Sequence, residues 1–169
     1  MSKILFVIDM QNDFVHGVLG SEEAQKIVDP MKHYLSTFDG KIIFTQDTHH
    51  ASDFATTLEG KTLPLHCDYQ SEGWHIIKAL TPFLAQAKSL EKPTFGCKEL
   101  PLEVTRDDEV YFCGVCTDIC VISNALLLRA AYPNLHITCL SNLCAGTSIS
   151  SHQAALTVMK SCEIDIKEV

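Results

Sequence analysis

The sequence predicts an α/β fold of three layers, α/β/α, with a mostly parallel central sheet. Short, nearly continuous apolar runs recur along the chain, and longer amphipathic stretches separate them. Apolar runs of this kind are typical of strands in a parallel sheet that is covered on both faces. Strands that alternate with helices also imply right-handed crossovers.

The strands are predicted from the apolar runs in chain order. The first run begins at residue 3 and ends where Asp9 interrupts it. It is too short to cross a membrane and carries no cleavage site of a signal peptide. The predicted strands are residues 3–8, 41–45, 109–114, 136–140 and a short strand near 163–166.

The helices are predicted from amphipathic stretches and their end signals. Ser21, followed by Glu22 and Glu23, is a capping pattern that starts the first helix. Pro133 is a stop signal for the third. The stretch from residue 48 to 92 is less regular and is expected to build a pocket wall. The predicted helices are residues 21–38, 73–87, 117–131 and 150–160.

Length, composition and net charge limit the classes to which the protein can belong. The 169 residues fit one domain, 1–169, and 46% apolar with 20% charged residues indicate a globular chain. A formal net charge of −8 argues against nucleic acid or an anionic membrane as partner. We therefore expect neither as its main partner and, since the sequence shows no signal peptide or membrane span, we expect a cytoplasmic protein.

Eight cysteines are many for this length. A disulfide framework requires a secreted chain, and the sequence offers no sign of secretion. Cys113 and Cys116 form a CxxC pair that could be redox-active or half of a zinc site. A second CxxC is absent, so burial as small apolar residues is the favoured interpretation for most cysteines.

Three chemically distinctive segments are expected to meet at one edge of the sheet. Ligands of open α/β sheets bind beyond the carboxyl ends of the strands. Asp9 ends the first strand, Asp47 follows the second, and residues 114–120 lead from the third into a helix. The sequence therefore predicts a site where these segments converge.

Cys120 is a candidate nucleophile because it lies near the start of a predicted helix. Helix N-termini favour thiolate, although position alone supports a small buried cysteine equally well. Asp9 leaves an apolar run, where desolvation would raise its pKa toward that of a general base; capping a turn is the alternative. Lys92 by itself predicts only a surface lysine.

A possible metal site comes from carboxylate and imidazole groups. Asp47 and His49 occupy alternate positions after the second strand, so both side chains can face one side. His66 could join them, with Glu59 as a further ligand. Such a set suits Zn, Mn or Fe. Histidines that are merely structural or solvated remain the alternative. His50, His16 and His75 are near enough in sequence to be confused with ligands.

Five motifs in order resemble those of the nicotinamidase/isochorismatase-like cysteine hydrolases. They are residues 9–14 (DMQNDF), 47–49 (DTH), 63–67 (LPLHC), 92–95 (KPTF) and 114–121 (GVCTDICV). The resemblance extends over nearly the whole chain and implies the isochorismatase-like hydrolase fold. It also implies a homo-oligomer, as is usual in the family.

The resemblance implies a triad of Cys120, Asp9 and Lys92. Cys120 would attack a carboxamide carbon, Asp9 would pass the thiol proton to departing ammonia, and Lys92 would favour the thiolate. A thioester would form and be hydrolysed by water. The family pattern also implies a cis peptide bond between Val115 and Cys116, with an oxyanion hole formed by the N–H groups of Cys116 and Cys120.

In the nicotinamidase branch a metal binds the pyridine nitrogen, and Asp47, His49 and His66 match its ligands. Many members supply a further histidine shortly after D-x-H. Here Glu59, which resembles the acidic substitute of some relatives, is preferred to His50 as the additional ligand.

The resemblance also bears on the substrate pocket. It places Phe14 in the wall of the ring pocket. Leu63 departs from the pattern, because many nicotinamidases place Trp beside this proline, and the loss of that wall weakens the case for a pyridine substrate.

The leading hypothesis is a metal-dependent nicotinamidase of NAD salvage. An amidase for another small carboxamide, or for a carbamoyl or ureido compound, is the alternative within the hydrolases and need not use a metal. Isochorismatase itself is disfavoured because those members usually lack the cysteine. A non-catalytic binding domain is disfavoured because Asp9, Lys92 and Cys120 are all present. A redox sensor rich in cysteine is a more distant alternative.

Overall fold

A computed structural model describes residues 2–169 and confirms the α/β architecture. Its six strands are all parallel and form one sheet in the order β3-β2-β1-β4-β5-β6. The strands are β1 (Lys3–Ile8), β2 (Lys41–Asp47), β3 (Lys88–Lys92), β4 (Glu109–Val115), β5 (His136–Ala145) and β6 (Asp165–Lys167).

The central strands are buried as their apolar runs predicted. β1 is buried from Ile4 to Ile8 and pairs with β2 on one side and β4 on the other. Phe6 of β1 stacks on Phe112 of β4 with ring centroids 5.3 Å apart. These contacts place the carboxyl ends of β1, β2 and β4 side by side.

The strand prediction missed β3 and misplaced several strand ends, by one or two residues in β2 and β4. β3 is an edge strand in which only Leu90 and Lys92 are buried, so it has no apolar run to reveal it. β5 continues to Ala145, five residues beyond its predicted end. The last strand begins at Asp165 and not near residue 163.

Helices flank the sheet. The α-helices are α1 (Asn12–Val15), α2 (Glu22–Lys26), α3 (Val28–Thr37), α4 (Ile122–Ala131) and α5 (Ile149–Ser161). The other helical segments are the 3₁₀ helices Phe54–Thr56, Glu59–Lys61, Lys78–Gln86 and Leu100–Glu103, and the π-helix Thr117–Val121. No helix among residues 2–169 combines the length and apolar character needed to cross a membrane.

The helix prediction was partly wrong. The Ser21 hydroxyl does cap α2 by accepting from the Ala24 amide at 3.1 Å, but Ile27 separates α2 from α3. The predicted α-helix over 73–87 is a shorter 3₁₀ helix that contains Pro82, which cannot donate a backbone hydrogen bond. The helix predicted from residue 117 begins with the π-helix and becomes α4 at Ile122.

The cysteines are free thiols. All eight lie in the described part of the chain; six are buried, and Cys116 and Cys162 are partly exposed. Burial of most of them agrees with their position in apolar runs.

Gly114 allows β1 and β4 to approach each other where the site begins. Its φ is +116°, and a Cβ atom there would lie 2.1 Å from the Ile8 carbonyl oxygen. Replacing Gly114 with alanine is expected to lower the free energy of unfolding by about 2 kcal/mol or more. Chemical denaturation measures this, with Gly96→Ala as control because its Cβ would meet only the Leu127 side chain at 3.9 Å. Equal midpoints for the two variants would contradict the prediction.

Candidate active site

The structure brings Asp9, Lys92 and Cys120 together from separate elements. Lys92 Nζ lies 2.7 Å from Asp9 Oδ2 and 3.6 Å from Cys120 Sγ. Asp9 and Lys92 have no exposed surface, and Cys120 is 5% exposed. A lysine that the sequence alone presents as a surface residue is therefore buried between a carboxylate and a thiol.

Hydrogen bonds orient the side chains of Asp9 and Lys92 in this triad. Asp9 turns away from the end of β1 with a φ of 48°, and Thr45 Oγ1 donates to Asp9 Oδ1 at 2.7 Å. Lys92 ends β3, where its Nζ also donates to the Thr94 carbonyl at 3.0 Å. These contacts fix the direction of the carboxylate and of the ammonium group.

Cys120 lies in the π-helix that follows β4. Asn124, fully buried one turn later, donates to the Cys120 carbonyl at 2.7 Å and to the Phe95 carbonyl at 3.1 Å. Its Oδ1 also accepts from the Cys97 amide at 2.8 Å. Asn124 therefore joins the helix that carries Cys120 to the segment that follows Lys92.

The electrostatics of the triad differ from the expectation of a thiolate favoured by a helix terminus. Burial raises the pKa of the Cys120 thiol well above its ordinary value, the charge of Asp9 adds to the shift, and Lys92 opposes it. Burial also raises the pKa of Asp9, against the opposing charge of Lys92. The shift favours the protonated thiol, and the Asp9 carboxylate, whose charge contributes to it, is the candidate base for that proton.

Lys92 remains a cation in this environment. Burial alone would lower its pKa, but the negative charge of Asp9 and further acidic neighbours raise it well above its ordinary value. A fixed positive charge beside Cys120 stabilises the thiolate once the proton has left.

Four predicted metal-binding side chains converge next to the triad. One donor atom from each of Asp47, His49, Glu59 and His66 lies within 4.8 Å of the others. Asp47 Oδ2 is 2.9 Å from His49 Nε2 and 3.3 Å from His66 Nε2. Glu59 Oε1 is 3.3 Å from His66 Nε2. Two ligands about 2.1 Å from one tetrahedral ion lie roughly 3.4 Å apart, so the set fits a divalent metal.

His66 supports this fit independently. Its Nδ1 is 2.8 Å from the Pro64 carbonyl oxygen, a contact that leaves Nε2 to act as ligand. Nε2 is buried and has no hydrogen bond of good geometry within residues 2–169. Burial alone would lower the pKa of His66, but the carboxylates of Asp47 and Glu59 beside Nε2 raise it to about 10. The environment thus favours positive charge at this nitrogen, as a bound cation would supply.

Glu59 lies with the other donors, and His50 does not. His50 is exposed and packs against Tyr69 with ring centroids 5.6 Å apart. Asp47 also links the two groups of side chains, because its Oδ1 accepts from Lys92 Nζ at 3.2 Å. Burial alone would raise the pKa of Asp47, but the nearby rings of His49 and His66 and the charge of Lys92 outweigh it and hold this pKa well below its usual range.

A cavity of about 220 Å³ reaches both groups of side chains. Its lining is largely apolar and includes Phe14, Leu63, Phe95 and Ile119. Cys116, Cys120, Asp47, Glu59 and His66 also line it. Phe14 also contacts the His66 ring edge-on, with centroids 5.5 Å apart. The Val115–Cys116 peptide bond is cis.

Sequence reasoning missed several residues that support the site. Thr45, Gln11 and Asn124 are buried polar side chains that hydrogen-bond to Asp9, Asp47 and Cys120 respectively. Gln11 stands inside the DMQNDF motif, so the motif itself was the available signal. Thr45 and Asn124 carried none, because neither belongs to a motif that the sequence presents.

The chain is similar in sequence and in fold to known hydrolases. Residues 3–166 match the family model of the isochorismatase domain. No curated protein matches the sequence significantly. Among solved structures, nicotinamidase/pyrazinamidase from Bacillus subtilis is 26% identical, with a TM-score of 0.86, over 99% of this chain and 100% of that chain.

Two further solved structures show the range of the neighbours. Pyrazinamidase of Pyrococcus horikoshii in complex with zinc is 25% identical, with a TM-score of 0.86, and both chains are covered completely. N-carbamoylsarcosine amidase from Thermoplasma acidophilum is 25% identical, with a TM-score of 0.81, over 99% of this chain and 96% of that chain. Because the family model spans nearly the whole chain, the protein belongs to the isochorismatase family of hydrolases.

Proposed function

We propose that this hydrolase, which acts on amide C–N bonds, converts nicotinamide to nicotinate and ammonia. One observation carries the proposal: a single, largely apolar cavity is lined both by Cys120 and by Asp47, Glu59 and His66. A flat heteroaromatic ring can occupy such a space while its carboxamide approaches the thiol. The product would then enter NAD salvage in the cytoplasm.

The first half of the reaction forms a thioester. Asp9 accepts the Cys120 proton, and Sγ forms a bond to the carboxamide carbon. The N–H groups of Cys116 and Cys120 stabilise the oxyanion that results. The C–N bond then breaks, and Asp9 returns the proton to the nitrogen, which leaves as ammonia. Lys92 keeps its charge throughout, 2.7 Å from Asp9 and 3.6 Å from Sγ.

The second half releases the acid. Asp9 takes a proton from water, whose oxygen forms a bond to the thioester carbon. The C–S bond breaks, Cys120 recovers its proton, and nicotinate leaves. Phe14, Leu63 and Phe95 line the cavity and would contact the ring during both halves.

The metal proposal rests on the same cavity. Asp47, His49, Glu59 and His66 would hold a divalent ion, zinc in the first place, with manganese or iron as alternatives. When bound, the ion supplies a Lewis-acid position for the ring nitrogen of the substrate. The zinc complex of the Pyrococcus horikoshii enzyme supports this proposal.

A second candidate function is hydrolysis of a small carbamoyl or ureido compound. Two observations favour it: the N-carbamoylsarcosine amidase neighbour and the aliphatic Leu63 in the cavity wall. Such a substrate has no ring nitrogen that needs a metal, and the triad of Asp9, Lys92 and Cys120 could hydrolyse it unaided.

Metal removal distinguishes the two functions. Ammonia release from nicotinamide by the purified protein is expected to fall at least about 100-fold after chelation and to return when Zn²⁺ is added, because the ring loses its anchor. Release from N-carbamoylsarcosine, assayed in parallel, serves as the comparison. Chelator-insensitive turnover of the carbamoyl compound, with none of nicotinamide by the metal-loaded protein, would establish the second function instead.

A further inference from the structure

The segment that follows β1 contacts both parts of the chain that carry the metal-binding side chains. We propose that Gln11 and Asp13 are positioning residues that hold Asp47 and His66 in the geometry needed to bind the metal. The inference rests on the metal site of the proposed function. In this proposal the DMQNDF motif both supplies the base Asp9 and positions metal ligands.

Gln11 takes the place of a neighbouring strand beside Asp47. β1 pairs with β2 only as far as Phe44, so Asp47 lies beyond the reach of the β1 backbone. The Gln11 side chain accepts from the Asp47 amide at 2.7 Å and donates to the Asp47 carbonyl at 2.8 Å. The same amide group donates to the Trp74 carbonyl at 2.8 Å. Gln11 is fully buried, so these bonds have no competition from water.

This contact bears directly on the metal-binding carboxylate. With Gln11 on one side and the β3 partner Lys92 on the other, the Asp47 backbone is held from both directions. A side chain whose backbone cannot shift presents its Oδ2 at a fixed distance from the two histidines. Residues that position a metal ligand without touching the ion typically change the metal affinity by roughly 10- to 100-fold.

Asp13 acts in the same way on the loop that carries His66. Its Oδ2 accepts from the Cys67 amide at 2.8 Å. Cys67 has a φ of 46°, and its carbonyl accepts from the His49 amide at 3.0 Å. Gly73 packs directly on the carboxylate, since a Cβ there would lie 2.1 Å from Asp13 Oδ2. Asp13 is thus locked in place and fixes the chain at the junction between His66 and His49.

Asn12 provides a matched comparison inside the same motif. Its side chain donates to the Glu72 carbonyl at 2.8 Å, in an exposed contact. Within residues 2–169 its only side-chain hydrogen bonds are to Glu72, so it touches neither metal-bearing segment. Substitution of Asn12 should leave metal binding unchanged if the proposal is correct.

The test measures the affinity for Zn²⁺ alone, by competition with a chromophoric chelator, in folded protein. Gln11→Ala and Asp13→Ala are expected to weaken binding by roughly 10- to 100-fold. Asp13→Asn retains an oxygen acceptor for the Cys67 amide and should restore affinity to near the wild-type value. Asn12→Ala should match the wild type.

The outcomes separate this proposal from its alternatives. A merely structural role would lower the thermal midpoint of the alanine variants and leave the Zn²⁺ affinity of the folded protein unchanged, which would overturn the inference. If Gln11→Ala does not fold, Gln11→Met keeps the buried volume without the hydrogen bonds and replaces it. A wild type that does not bind Zn²⁺ would overturn the metal site itself, whereas wild-type binding with unaffected variants overturns only the positioning role.

Discussion

Replacing Cys120 with alanine is expected to lower ammonia release from nicotinamide by at least about 10⁴-fold. The Sγ atom forms the covalent bond on which both halves of the proposed reaction depend. Lys92 Nζ contacts both the Asp9 carboxylate and Cys120 Sγ, so the proposed base and the fixed cation lie beside this thiol. Steady-state turnover of the purified variant measures the effect.

The control for this substitution is Cys162→Ala. Cys162 is a partly exposed thiol at the carboxyl end of α5 and should give wild-type turnover. Zn²⁺ affinity of Cys120→Ala should also be unchanged, because Cys120 is not among the four donors. Mass spectrometry of quenched wild-type reactions should detect an acyl adduct on Cys120. Turnover of Cys120→Ala within tenfold of the wild type would refute covalent catalysis at this residue.

Replacing Asp9 with asparagine is expected to lower turnover by about 10³-fold or more. Asparagine keeps the size of the side chain and can still accept the bond from Thr45 Oγ1. It cannot take the Cys120 proton, and burial holds that proton firmly, because the pKa of Cys120 is well above its ordinary value. The free enzyme would therefore remain in its protonated, weakly nucleophilic form.

The pH profile gives Asp9 a second readout that a structural role would not move. The pKa of Asp9 is raised, chiefly by burial. Its ionised form is the base, so wild-type kcat/KM should fall as the pH drops through a value above the ordinary carboxyl range of about 4. The acid limb should disappear in Asp9→Asn. Asp29→Asn, an exposed position on α3, is the control. A variant that keeps the wild-type acid limb would exclude Asp9 as the base.

The sequence was informative where local pattern carries structure. Continuous apolar runs predicted β1, β2, β4 and β5, because strands that are buried on both faces need apolar residues at every position. β3 was not predicted, because this edge strand buries only alternate residues, two of its five, and so has no continuous apolar run. The helix predicted over 73–87 was wrong because Pro82 and the tertiary packing of that segment select a 3₁₀ helix.

The features of the candidate site also fall into those that the sequence predicts and those that only the structure decides. By itself the sequence determined which residue types stand at the ends of the strands, and the rule for parallel sheets was enough to predict that Asp9, Asp47 and the Cys120 turn would meet. Only the tertiary structure decided that Lys92 is buried between Asp9 and Cys120, that Glu59 and not His50 joins the histidines, and that the thiol is protonated. The physical reason is that burial, pairing and pKa depend on atoms contributed by segments distant in sequence, whereas a motif records only the local chain.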